Sequence, residues 1–205
     1  MTHGVMRWIS LTAEDDVNWS LKIQNQIAIP QIYSKIWPEC VIHHPDKQRT
    51  ELEKALDIAG ADKLIQEPGG GVFFLSQRFR THETSLAKGY DDFTLRNYRP
   101  RTDYKAECYK VIDALKTGKL LAAFYAYGHL NNKQKSFEKF RIIKFRNFVE
   151  KWDSGELPPY QQKMNTDGSS NFYAWRFKDI PYDLIHWELK KQEKHITKLT
   201  DFGGS

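Results

Sequence analysis

The sequence has 205 residues, 31 Lys and Arg against 26 Asp and Glu, and a formal net charge of +5. That length suits one domain with a genuine core, and 40% hydrophobic with 14% aromatic residues excludes a disordered chain. Mean hydropathy is −0.66, and the longest apolar run, Leu120 to Tyr127, is far too short for a bilayer-spanning helix.

In chain order, the first 45 residues hold Trp8, Trp19 and Trp37 among polar residues, and Pro30, Pro38 and Pro45 predict short broken pieces. Asp46 to Ala59 reads as a helix with Leu52, Leu56 and Ile58 on an apolar side, ended by Gly60. Ala61 to Ile65 reads as a short strand and Gln66 to Gly71 as a turn. Val72 to Arg80 follows as a longer strand, so the three make a hairpin entered from a helix. The alternation of Asp92 to Arg96 predicts another strand. Lys105 to Lys116 carries helical apolar spacing and is closed by Gly118. Leu120 to Tyr127 has the composition of a buried strand. Phe140 to Lys144 is read as the next strand and Phe145 to Trp152 as a helix ended near Gly155. Pro158 to Ser170 is a polar loop, Phe172 to Phe177 a last strand, and Glu188 to Lys198 a charged helix. The order of elements predicts an α/β fold with a mixed central sheet flanked by helices.

The stretch Glu51 to Arg80 carries the densest chemistry. Glu51, Glu53, Asp57 and Asp62 place four carboxylates in twelve positions, and a helix puts Glu53 and Asp57 on one face at i,i+4. Asp62 begins the following strand, and the next strand ends Ser76-Gln77-Arg78-Phe79-Arg80. An alternative reading is bland: exposed helix acids form a solvated face, and Arg78 and Arg80 form the wet side of a sheet. A helix acid, a strand-start acid and a polar–basic pair on the adjacent strand resemble the active-site layout of the PD-(D/E)XK nuclease superfamily.

That resemblance implies a restriction-endonuclease-like sandwich with its core at about residues 46–150. It also implies phosphodiester hydrolysis in DNA with Mg²⁺ or Mn²⁺ bound by oxygen ligands. On it, Asp62 is the central metal ligand, helped by Asp57 or Glu53. Gln77 offers a neutral oxygen, and Arg78 stands in the lysine role and steadies the scissile phosphate. The sequence departs from the family where an acid and then a lysine are expected at i,i+2, offering Ser76 and Arg78, or Gln77 and Phe79. Only residues two apart share a strand face, so Gln77 and Arg78 cannot both reach one spot without a bulge.

Cations and aromatics continue beyond this stretch. Arg78, Arg80, Arg96, Arg99, Arg101 and Lys105 are interleaved with Phe79, Phe93, Tyr98 and Tyr104. Of these, Arg80, Arg96, Arg99 and Lys105 are the expected DNA-backbone contacts, since cations neutralise phosphates and rings stack on bases. Asp91, Asp92, Asp103 and Glu107 stand among them as local ion-pair partners. Cys40, His43 and His44 lack a second ligand pair for zinc, and the Gly69-Gly70-Gly71 turn lacks the Gly-Lys-Ser/Thr ending of a phosphate loop. Tyr125, Tyr127, Trp175 and Trp187 read as core. Two cysteines and no visible leader predict a cytoplasmic protein without a membrane anchor, and a homodimer is compatible with the family. Two rival readings are a non-catalytic nucleic-acid binder on the same fold and a protein-interaction module.

Overall fold

The computed structural model describes residues 13–43, 61–98, 106–164 and 170–189. The described residues open with helix α1 (Ala13–Ile23), which runs without a break through a π-helical stretch, Gln24–Tyr33, and a last α turn, Ser34–Ile36. Pro30 therefore does not fragment this region as the sequence predicts. Proline removes one ladder donor, and the bonding here widens instead: Ser34 N–H reaches Ile29 O, and Ser34 Oγ donates to Pro30 O at 3.0 Å. Ile23, Ala28 and Tyr33, and in parallel Ile27, Ile32 and Trp37, recur at the spacing of five that this winding places on one side, and all are buried.

Six strands form the larger sheet: β1 (Val41–His43), β2 (Lys63–Gln66), β3 (Val72–Arg80), β5 (Phe124–Leu130), β6 (Phe137–Lys144) and β9 (Ile185–Glu188). Their spatial order is β1-β2-β3-β5-β6-β9, antiparallel except for the parallel pair β3–β5. The β2–β3 hairpin is closed by the glycine turn, with Gly70 in the left-handed region at φ 83° and its N–H on Glu67 O at 2.9 Å. Strands β4 (Asp92–Tyr98), β8 (Asn171–Arg176) and β7 (Gln161–Met164) form a second antiparallel sheet in the order β4-β8-β7. The fold is thus mixed α/β, but the strand expected at Asp92 to Arg96 leaves the central sheet, and the expected polar loop contains β7. Helices α2 (Glu107–Thr117) and α3 (Phe145–Asp153) follow, with short 3-10 turns at Leu86–Lys88, Phe177–Asp179 and Tyr182–Leu184. Gly118 takes the left-handed cap after α2 at φ 64°, where a glycine stop was expected.

Strand alternation splits the larger sheet into two sides. Leu75 and Phe79 of β3, with Ala126 and Leu130 of β5, join Ile142, Phe140 and the apolar side of the α1 segment in one core. On this side Gly128 is required: a Cβ there would strike the Phe137 ring and stand 2.8 Å from Phe140 Cδ2. The other side turns Tyr125 and Tyr127 toward Phe93, Leu95, Phe148 and Trp175, which join the second sheet, α2 and α3 into an aromatic core. Tyr125, Tyr127 and Trp175 are core residues, as expected, and Trp187 packs half-buried at the edge of the first core. The predicted helix over 46–59 lies outside the described residues, as do Glu53, Asp57, Arg99 and Lys105. The helix expected over Glu188 to Lys198 does not begin where predicted, because Glu188 pairs as the last residue of β9; its part from residue 190 onward lies outside the described residues.

Candidate functional site

Asp62 stands immediately before β2, where its N–H bonds to Leu75 O at 2.9 Å. The antiparallel register pairs Lys63 with Leu75, so Asp62 falls opposite Ser76. Asp62 is exposed, and its Oδ2 accepts the backbone N–H of Gln77 at 2.6 Å. Asp62, Ser76 and Arg78 therefore share one side of the β2–β3 pair, the side turned to the aromatic core. Gln77 belongs to the other side, as strand alternation requires.

The Arg78 guanidinium sits in a dense polar shell. Its Nη1 donates to Thr94 O at 3.1 Å and to Thr94 Oγ1 at 3.3 Å, with Glu107 Oε2 at 3.8 Å. Glu107, in the first turn of α2, accepts Tyr125 OH at 2.8 Å on Oε1 and the Arg96 N–H at 3.2 Å on Oε2. Thr94 Oγ1 lies 3.0 Å from Tyr127 OH. Burial alone would make Arg78 easier to deprotonate. Glu107 above all, with Asp62, raises its pKa instead, so the guanidinium stays charged. Burial and then Glu107 push the Tyr125 phenol well above its ordinary value, which makes it a donor and not an anion.

Arg78 and Arg80 from β3, Thr94 and Arg96 from β4, and Ser170 and Phe172 from the β8 end line one cleft of roughly 220 Å³ between the sheets. The structure thus brings together Arg78, Arg80 and Arg96, three of the cations singled out in the sequence. Three guanidinium groups at one recess suit an anionic oxygen ligand, because each presents several N–H donors in a fixed plane.

Gln77 faces the α1 side. Its Oε1 accepts Tyr33 OH at 3.1 Å, and its Nε2 donates to Gln24 Oε1 at 2.5 Å; Tyr33 and Gln24 are fully buried. Burial, reinforced by Asp62, raises the Tyr33 pKa well above normal and keeps its hydroxyl protonated. The amide oxygen of Gln77 is therefore already engaged, on the opposite side of the strand from Arg78. Lys63, 4% exposed, is the buried lysine among the described residues; burial lowers its pKa, against the pull of Asp62.

Among the described residues no three His, Cys, Asp or Glu side chains converge as a metal-holding group. Asp62 supplies one hard oxygen donor, and its sequence-predicted partners Glu53 and Asp57 lie outside the described residues.

Sequence reasoning does not single out Thr94, Tyr33 and Gln24, and it reads Glu107 only as a local ion-pair partner. No motif spacing links Glu107 to Arg78, because the two meet through the second sheet. No family model, no curated protein and no solved structure matches the chain.

Proposed function

We propose that this protein is a metal-dependent nuclease that hydrolyses phosphodiester bonds in DNA, acting where the start of β2 meets the arginine cleft. One observation carries the reading: Asp62 and Arg78 lie on the same side of one antiparallel pair, and Arg78 opens into a recess it shares with Arg80 and Arg96. A phosphodiester held by these arginines lies within reach of a carboxylate without opposing it across the strand. Mg²⁺ would be held by Asp62, with Asp57 and Glu53 as the further oxygen donors, and would supply an activated water and charge neutralisation.

The remaining work falls to the chain's own groups. Arg78, fixed by Thr94 and kept charged by Glu107, orients one phosphate oxygen. It is a poor proton shuttle, so its role is electrostatic. The Gln77 N–H fixes the Asp62 carboxylate through one oxygen.

A second reading, a nucleic-acid binder without cleavage, is favoured by the residue opposite Asp62. Ser76 stands there, 2% exposed, where the family pattern calls for an acid. Incubation of plasmid and single-stranded DNA with the protein in Mg²⁺, Mn²⁺ or EDTA separates the two. Metal-dependent cutting that Asp62→Ala abolishes, with the far-UV circular dichroism unchanged, supports the nuclease. Salt-sensitive binding with no cutting in either metal selects the binder.

A further inference from the structure

The second sheet continues the arginine cleft into a wider surface. Register places Arg96 opposite Phe172 and Phe172 opposite Lys163, so these three form one row across β4, β8 and β7. Asp92 and Arg176 form another row on the same face, and between the two lies the row of Thr94, Ala174 and Gln161, of which Thr94 and Ala174 are buried. This is the face alternate to Phe93, Leu95 and Trp175, which are committed to the aromatic core. Two exposed rings join it. Lys163 Nζ stands 4.3 Å over the Tyr90 ring, and the Arg176 guanidinium 4.6 Å over Tyr160. Tyr90 is 39% and Tyr160 38% exposed. The acid in the surface, Asp92, is 7% exposed, and Tyr160 OH donates to it at 3.0 Å. What this face offers outward at its two ends is therefore cationic and aromatic, with Gln161 between them.

We infer that this face, running from the Arg78–Arg80–Arg96 cleft over Phe172 to Lys163, Tyr90, Arg176 and Tyr160, is a binding track for single-stranded DNA. The choice of DNA rests on the proposed function, while the preference for a single strand rests on the surface itself. A duplex hides its base faces and presents phosphates and groove edges, which exposed rings cannot stack on. Phe172, Tyr90 and Tyr160 set between cations fit a strand whose bases are free to stack while its phosphates are neutralised alongside.

The test is fluorescence anisotropy with a labelled oligo-dT and a duplex of equal length, in EDTA so that binding is read without cutting, over a salt series. Native protein should bind the single strand more tightly than the duplex. Phe172→Ala should weaken single-strand binding about fivefold to a hundredfold, as loss of a stacking ring does, and Phe172→Trp should restore it. The pair Lys163→Gln with Arg176→Gln should flatten the salt slope by about 1.4, roughly 0.7 for each phosphate no longer neutralised. Circular dichroism of each variant establishes that it is folded. Equal or tighter binding of the duplex, or variants that bind like the native protein, would overturn the inference. If single-strand binding behaves as described but no metal supports cutting, the track stands and the nuclease reading falls. Cutting of duplex without single-strand binding reverses that outcome.

Discussion

The two sides of strands β3 and β5 are made from alternate residues of the same segments, yet they do different work. Toward α1, β3 presents Leu75, Gln77 and Phe79, and β5 presents Ala126, Gly128 and Leu130. This side is sealed by a helix, and its polar inclusion, Gln24 with Gln77 and Tyr33, satisfies itself. Toward the second sheet, β3 presents Ser76, Arg78 and Arg80, and β5 presents Tyr125, Tyr127 and His129. Here the apolar packing stops partway and charge begins, because a second sheet covers only part of the face. A helix laid along a sheet closes it; a smaller sheet set against it leaves a cleft at the margin. The site belongs to the partly covered side.

The largest expected effect breaks the aromatic core that holds the second sheet in place. Phe93, fully buried, meets Tyr125 and Phe148 at ring-centroid distances of 5.0 Å and Trp175 at 5.9 Å. Phe93→Ala should cost about 3–5 kcal/mol of stability in urea denaturation. Because β4 also carries Thr94 and Arg96, the same variant should weaken DNA binding. Loss of stability with binding intact would show that the cleft does not depend on the second sheet.

The next effect concerns pH. His129 is 1% exposed, its ring centroid 5.3 Å from Tyr127 in a tilted pair and 6.2 Å from Phe177 edge-to-face, and neither ring nitrogen has a hydrogen-bond partner among the described residues. Burial lowers its pKa to about 4; Asp91 opposes this, while Arg80, Lys139 and Arg141 add to it. The unfolded chain takes up this proton near pH 6.5 and the folded chain only near 4. The stability from a neutral His129 is thus fully present above about 6.5 and is lost as pH falls to about 4, on the order of 3 kcal/mol. His129→Phe should remove most of this loss in denaturation curves at pH 7, 5.5 and 4. Asp91 loses its contribution in a separate, lower window. Burial raises its pKa, but the Lys139 bond at 2.6 Å and Arg141 bring it below its ordinary value. A variant with an unchanged pH dependence would place the titration elsewhere.

Much of this architecture is legible in the sequence, and the gaps have physical causes. The β2–β3 hairpin, α2 with its glycine stop, β6, α3 and β8 follow from alternation, helical spacing and turn residues, which are local signals. β7 is not legible because Gln161-Gln162-Lys163-Met164 is an edge strand exposed along most of its length, so no burial pattern marks it. The continuity of α1 through Pro30 is hidden because the wider winding that accommodates it leaves a five-residue spacing that a 3.6-residue template does not match. Within the site, Asp62, Arg78, Arg80 and Arg96 stand out as charges in a short stretch. Thr94, Glu107 and Tyr127 do not, because their meaning lies in which sheet β4 joins and where α2 begins. Pairings between segments far apart in sequence leave no periodic trace.

The smallest effect sharpens the contrast between the two sides. Tyr33→Phe keeps the ring in its core and removes only the hydroxyl that donates to Gln77 Oε1 at 3.1 Å. Gln77 retains its bond to Gln24, so the loss should be about 1 kcal/mol, a fall in melting temperature of about 2–4 °C. Asp62 is held by the backbone N–H of Gln77 and not by its side chain, and Arg78 is held by Thr94 across the strand. If the α1 side is structural and the opposite side binds, oligo-dT affinity and its salt slope should be those of the native protein. Weakened binding at full stability would mean that Tyr33 reaches the site through Gln77, and the division between the two sides of β3 would then fail at that residue.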